Sequence, residues 1–216
     1  MDGGDRGTLF VISAPSGTGK STLARRLLES VPRLTFSVSQ TTRPRRAGEE
    51  NGREYEFIDD ARFDALVASG GFLEWAQVFQ HKYGTGLAAT EAVLASGTSL
   101  LLDIDVQGAR QVRASGRDAV SIFILPPDYA ALKERLTRRG SEEPAALALR
   151  LREALREALE YDRFDYVVVN AELEQASAEL SAIVRAESAR TARVRARVRR
   201  ILSTFPAPGT GAEENP

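Results

Sequence analysis

The sequence predicts an α/β fold, a parallel sheet with helices on both faces, on three observations. Four short apolar runs, "TLFVIS" (8–13), "TSLLLDID" (98–105), "AVSIFIL" (119–125) and "DYVVVN" (165–170), have the composition of buried parallel strands. Segments of helical pattern separate them, the order that places crossover helices on a parallel sheet. The 216 residues, 43% hydrophobic and 27% charged, suit one such domain with a full core.

The first strand runs into a glycine-containing turn, and "KSTLARRLLES" follows with Leu23, Leu27 and Leu28 on one helical face. Residues 34–59, rich in Thr, Arg, Gly and Glu, read as two short strands around a polar loop with little core. "DDARFDALVASG" (59–70) has an Asp cap and a Gly stop, the marks of a helix. "GFLEWAQVFQHKYGTG" (71–86) is strand-like, with Trp75, Phe72 and Phe79 assigned to core and His81 to the surface. Helices are expected over 88–96, over 106–116, and from "PPDYAALKERLTRRG", which opens on prolines and an Asp cap. Residues 141–164 form a second helix of high propensity, and after the last strand a long helix runs to about Leu202. The tail "PAPGTGAEENP" reads as disordered.

Bulk properties narrow the function. A net charge of −1 argues against a polycation that seeks nucleic acid, and the absence of cysteine excludes disulfides and thiolate metal sites. The start "MDGGDRG" is unlike a signal peptide, and no apolar run approaches the ~20 residues that span a bilayer. A cytoplasmic protein without a membrane or nucleic-acid partner is expected, its oligomeric state open.

The stretch Ala14-Pro15-Ser16-Gly17-Thr18-Gly19-Lys20-Ser21 carries the first chemistry. It differs from the phosphate-loop pattern G-x-x-x-x-G-K-[ST] only in Ala14 for the first glycine, where a small residue suffices. Gly17 and Gly19 let main-chain N–H groups turn inward around phosphates, at the positive end of the next helix. Lys20 suits the β- and γ-phosphates and Ser21 a direct Mg²⁺ ligand. With a strand before and a helix after, this gives the P-loop NTPase type of sheet. Asp103 and Asp105 end a central strand at the edge where such sheets bind ligands. Either can hold Mg²⁺ through water or accept from substrate, and one of them can simply cap the following helix.

Residues 39–85 carry the specificity. Arg43, Arg45 and Arg46 crowd a loop before Tyr55, and guanidinium forks match phosphate oxygens. Ser39 lies before this cluster, while Glu74, Tyr83 and Thr85 follow at strand ends and glycine turns. A carboxylate such as Glu74 accepts from N1–H and N2–H of guanine, a donor pair that adenine lacks, and a hydroxyl donates to O6. Arg135, Arg138, Arg139 and Arg150 form a third group, suited to charge on a moving phosphoryl. A solvated surface is the plain alternative, since arginine supplies nearly all of the 29 basic residues. The same holds for the arginines of 185–200.

These motifs together resemble the guanylate kinase family, in its bacterial soluble form, over about residues 7–190. The resemblance rests on "SAPSGTGKST", "FSVSQTTRPRRAGEENGREYEF", "GFLEWAQVF", "YGT", "LLLDIDVQGA", "IFILPP", "RLTRRG" and "VVVN". It implies transfer of the γ-phosphoryl of ATP to GMP or dGMP with Mg²⁺. It implies a core domain with a GMP-binding insertion at 37–88, a helical lid at 128–160, and a C-terminal extension at 191–216 outside the match. It assigns the GMP phosphate to Arg43, Arg46, Tyr55 and Tyr83, and the guanine to Ser39, Glu74 and Thr85 with Asp103 and Asp105 nearby. ATP falls to residues 14–21, with Asn170 near the adenine and Arg135, Arg139 and Arg150 as lid arginines. Two positions depart from the family pattern: Lys82 where a second aromatic often sits, and "NAE" after the last strand where "NDD" is usual. A catalytically silent binding module and a P-loop kinase for another acceptor are the competing readings.

Overall fold

A computed structural model describes residues 5–53, 55–78, 80–138 and 144–206. The core is a five-stranded parallel sheet of β1 (Leu9–Ser13), β2 (Leu34–Phe36), β7 (Ser99–Asp103), β8 (Ala119–Leu125) and β9 (Tyr166–Val169), in the order β2-β7-β1-β8-β9. Strand β1 is central and wholly buried, and its side chains alternate between two cores. Phe10 and Ile12 pack with Leu23 and Leu27 of α1 (Lys20–Ser30) and Leu180 and Val184 of α7 (Leu173–Ser188). Leu9 and Val11 pack with Leu94 of α3 (Leu87–Ala95) and Val112 of α4 (Val106–Ala114). Each fully buried side chain of this kind contributes about 1.5–3 kcal/mol. Helices therefore cover both faces, as the strand–helix alternation required.

A second, smaller sheet stands on residues 39–86. It holds β3 (Ser39–Thr41), β4 (Tyr55–Phe57), β5 (Phe72–Val78) and β6 (His81–Gly86) in the order β4-β3-β6-β5, with α2 (Asp60–Ala68) against it through fully buried Phe63. The Asp59 side chain caps α2 by accepting from Arg62 N–H at 2.7 Å, and Gly70 follows the helix at φ 67°, as the Asp and Gly signals required. The segment 34–59 holds three short strands rather than two. One of them, β2, joins the core sheet and buries Leu34, so this stretch contributes to the core after all.

The rest departs in register rather than in kind. Helix α5 (Tyr129–Arg138) begins after an Asp128 cap, 2.7 Å from Ala131 N–H, and α6 (Pro144–Ala158) ends before a 3₁₀ turn at Tyr161–Arg163. The expected helix to Leu202 is two helices, α7 and α8 (Thr191–Leu202), because Arg190, at ψ 137°, leaves the helical conformation between them. No Gly or Pro marks that break; ion pairs of Arg190 and Arg193 with Glu187 cross it. Trp75 is 36% exposed, since it points away from the buried Glu74 beside it, and its ring rests edge-on against Phe63. Phe79 lies outside the described residues.

Candidate active site

The carboxyl ends of β1 and β7 lie side by side, Ile12 opposite Asp103, and both chain segments turn into helices there. After β1 the chain makes the glycine turn, with Gly17 at φ 89° and Gly19 at φ 91°. These left-handed conformations favour glycine. Gly19 is also the N-cap of α1, which has no side-chain cap and no acidic residue in its first turn, so the helix end is left for an anion. Residues 14–21 line a cavity of about 210 Å³ with Asp105 and Glu157. Lys20 forms an ion pair with Asp103 and donates to Ile104 O at 2.9 Å.

Three side chains reach this loop. Asn170, 5% exposed, donates from Nδ2 to Thr18 O at 2.7 Å, and a Cβ at Gly19 would fall 2.6 Å from that nitrogen. Arg135 of α5 donates to Asn170 O at 2.9 Å and to Thr18 O at 3.3 Å, and Arg150 of α6 reaches Ser16 Oγ at 3.3 Å. Two of the three expected arginines thus converge on the phosphate loop; Arg139 lies outside the described residues. Arg138 is exposed, 4.0 Å from Glu134 of its own helix.

A second cavity, about 350 Å³, runs from Lys20 and Ser21 to the small sheet and is walled by Ser39, Tyr55, Glu74, Tyr83, Asp103 and Asp105. Glu74 on β5 faces Thr85 on β6 in register, and Thr85 Oγ1 donates to Glu74 Oε1 at 2.6 Å. Burial pushes the Glu74 carboxyl up to about 7, against the pull of the Thr85 hydrogen bond and with Asp105 adding repulsion. Asp105 caps α4 by accepting from Gly108 N–H at 2.8 Å, so one aspartate of the pair does take the capping role.

Arg43 is 8% exposed and lies behind Tyr55. Its fork donates to both Glu49 oxygens, at 3.1 and 2.7 Å, and its carbon sits 5.4 Å from the Tyr55 ring and 5.6 Å from the Phe57 ring. Hydrogen bonding to Glu49 raises the guanidinium above its ordinary value, and the same bonds lower Glu49. Tyr55 meets Tyr83 edge-on at 5.8 Å, and burial first, then the neighbouring Tyr83 and Asp103, push its hydroxyl up. Arg46 is exposed and joins the group through its backbone N–H, 2.7 Å from Glu49. Lys82 turns to α2, 2.5 Å from Asp64 and 3.2 Å from Asp60.

Two residues here escaped the sequence reading. Glu49 lies three residues after Arg46, and a carboxylate so close to an arginine cluster was a usable signal. Glu157 lies seven after Arg150, two turns along one face of α6, and burial raises its carboxyl while Ser16 N–H draws it down.

Comparison with known proteins bears on what this arrangement does. The guanylate kinase family model matches residues 6–187. Guanylate kinase of Chromohalobacter salexigens is 49% identical over 191 residues, 88% of this chain and 89% of that one. Guanylate kinase of Symbiobacterium thermophilum is 50% identical over 191 residues, 87% and 89% of the two chains. The crystal structure of guanylate kinase from Anaplasma phagocytophilum superposes with a TM-score of 0.71 at 36% identity, covering 88% of this chain and 90% of that one.

Proposed function

Because this chain belongs to the guanylate kinase family, we propose a division of labour between its two cavities in the transfer of the γ-phosphoryl of ATP to GMP. The observation that carries the reading is that one cavity has Lys20 and Ser21 at one end and the buried Glu74 at the other. ATP phosphates lie in the loop of residues 14–21, with Lys20 leaving Asp103 for the β- and γ-oxygens. GMP lies against the small sheet, its phosphate met by Arg43, Arg46, Tyr55 and Tyr83. Its guanine meets Ser39 and Glu74, with Thr85 holding Glu74 and Asp105 at the edge. The attacking GMP oxygen is already ionised, so transfer is direct and in line and needs no strong base. Arg135, Arg139 and Arg150 neutralise charge on the moving phosphoryl as α5 and α6 close, and closure keeps water from acting as acceptor.

Ser21 and Asp103 fit a magnesium ion. Both offer oxygen donors, both wall the Lys20 end of the cavity, and Mg²⁺ takes few protein ligands beside phosphate oxygens and water. Ser21 would bind it directly and Asp103 through water. When bound, the ion supplies charge neutralisation to the β- and γ-phosphates. Among the described residues no helix is long and apolar enough to cross a membrane; we place the enzyme in the cytoplasm, with the two nucleotides as its partners. The test is ADP formation from ATP and Mg²⁺ with AMP, CMP, UMP, GMP and dGMP as acceptors. GMP and dGMP should exceed the others by at least about 10²-fold in kcat/KM. AMP equal to GMP would sink the assignment of Glu74.

A further inference from the structure

We propose that Gly108 and Gln111, neighbours on one face of α4, set guanine selectivity by positioning Glu74; the inference rests on Glu74 being the base-reading carboxylate. Strand β5 is the edge of the small sheet, so the outward main-chain groups of Trp75 have no strand beside them. One side chain supplies what a strand would. Trp75 N–H donates to Gln111 Oε1 at 3.1 Å, and Gln111 Nε2 donates to Trp75 O at 2.6 Å. Both ends of a single amide thus fix the residue next to Glu74 on a helix of the core.

Gly108 fixes the carboxylate itself. Its φ lies outside the left-handed region, so conformation does not call for glycine, and within a helix glycine is unfavourable relative to alanine. Space is what calls for it. A Cβ at Gly108 would fall 2.5 Å from Glu74 Oε2 and 3.2 Å from Glu74 Cδ. Glu74 cannot swing aside without loss, because its other oxygen accepts from Thr85 Oγ1 at 2.6 Å. The main chain of Gly108 also donates to Asp105. The first turns of α4 therefore hold both acidic groups at the guanine end, although neither Gly108 nor Gln111 is expected to touch the base. They are positioning residues.

The experiment compares GMP with IMP, which keeps N1–H but lacks the 2-amino group, in steady-state assays of Gly108→Ala, Gln111→Ala and Glu74→Gln, with melting temperatures alongside. Gly108→Ala should lower the GMP-to-IMP ratio of kcat/KM about tenfold, through KM for GMP, with KM for ATP within about twofold of the parent. Gln111→Ala, half-exposed and tolerable to the fold, should shift the ratio the same way by about threefold. Shortening the carboxylate in the double variant Gly108→Ala with Glu74→Asp should recover part of the ratio, which a general loss of stability would not. An unchanged ratio in both single variants, equal losses with GMP and IMP, or KM for ATP rising in step would overturn the inference. If Glu74→Gln collapses the ratio while Gly108→Ala leaves it alone, only this inference fails. A ratio untouched by Glu74→Gln fails the reading beneath it.

Discussion

The phosphate loop and the proposed base pocket line two cavities that share Lys20, Ser21 and Asp105, but they are built from different materials. The loop is eight consecutive residues with two left-handed glycines and one lysine, and the groups proposed to bind there are main-chain N–H donors. The pocket draws Ser39, Tyr55, Glu74 and Tyr83 from four strands and Asp105 from a helix cap, and the groups proposed to work there are side chains. Main-chain recognition of phosphate suits any nucleoside triphosphate and leaves nothing awkward when the site stands open. Side-chain recognition of a base, as proposed for Glu74, requires a desolvated carboxylate, and burial displaces the Glu74 carboxyl to about 7. On the proposed reading, phosphate binding is local in the chain and selectivity is assembled from distant residues.

The largest break in that contrast is Lys20→Ala. Removing the one charge that the loop adds to its backbone donors should lower kcat about 10³-fold or more. GMP affinity, read by calorimetry, should stay within a few-fold, because the base pocket does not depend on Lys20. Collapse of both affinities would show that the ion pair of Lys20 with Asp103 holds the two ends together.

Glu74→Gln should come next, at about 10²-fold in kcat/KM for GMP with KM for ATP unchanged. The sign of its pH dependence follows from the raised carboxyl. In the free enzyme the protonated form is favoured in the fold, so Glu74 costs nothing below its unfolded value of about 4.5. Its cost grows as pH rises and is complete above about 7, where a shift of this size amounts to about 3 kcal/mol. Glu74→Gln should therefore melt higher than the parent at pH 8 and similarly at pH 4.5. Guanine donates only to the carboxylate, so GMP binding releases a proton. The parent's kcat/KM for GMP should fall tenfold per pH unit below about 7, relative to the Gln variant, in which the titration of GMP's own phosphate is the same. A constant ratio across pH 6–8 would contradict both the raised carboxyl and its place at the base.

The same contrast explains what could be read from the sequence. The loop was legible because its signals are contiguous: a buried strand, a glycine turn, a lysine and an uncapped helix follow in order. The strands β1, β7 and β8 were legible because burial on both faces demands unbroken apolar runs. The base pocket was legible as a set of residue types and through family resemblance, but its geometry was not. Nothing local says that Thr85 faces Glu74, that Gln111 serves as a surrogate strand, or that Gly108 is small for the sake of a carboxylate. The first arises from the pairing of β5 with β6, 11 residues apart, and the other two from β5 packing against α4, across 34 and 36 residues of chain. The break before α8 was hidden for a like reason, since ion pairs to Glu187 rather than a Gly or Pro mark it.

The smallest expected effect tests the loop's indifference to the base. Asn170 was expected beside the adenine, yet its amide donates into Thr18 O, and its own carbonyl accepts from Arg135. Those bonds predict that it acts through the loop, and the adenine contact implied by the family resemblance is the alternative to test. Asn170→Ala would leave the buried Thr18 carbonyl with only the longer Arg135 contact at 3.3 Å, a loss of about 1–3 kcal/mol of stability, or a few degrees in Tm for a chain of this size. KM for ATP should rise about three- to tenfold and KM for GMP should not move. Phosphate donors that differ only in their base separate the two roles. If Asn170 acts through Thr18, ATP and GTP used as donors should lose by the same factor, because both are held by the same main-chain donors. A loss confined to ATP would mean that Asn170 reads the adenine, and that the phosphate end of the cavity also selects its nucleotide through a side chain.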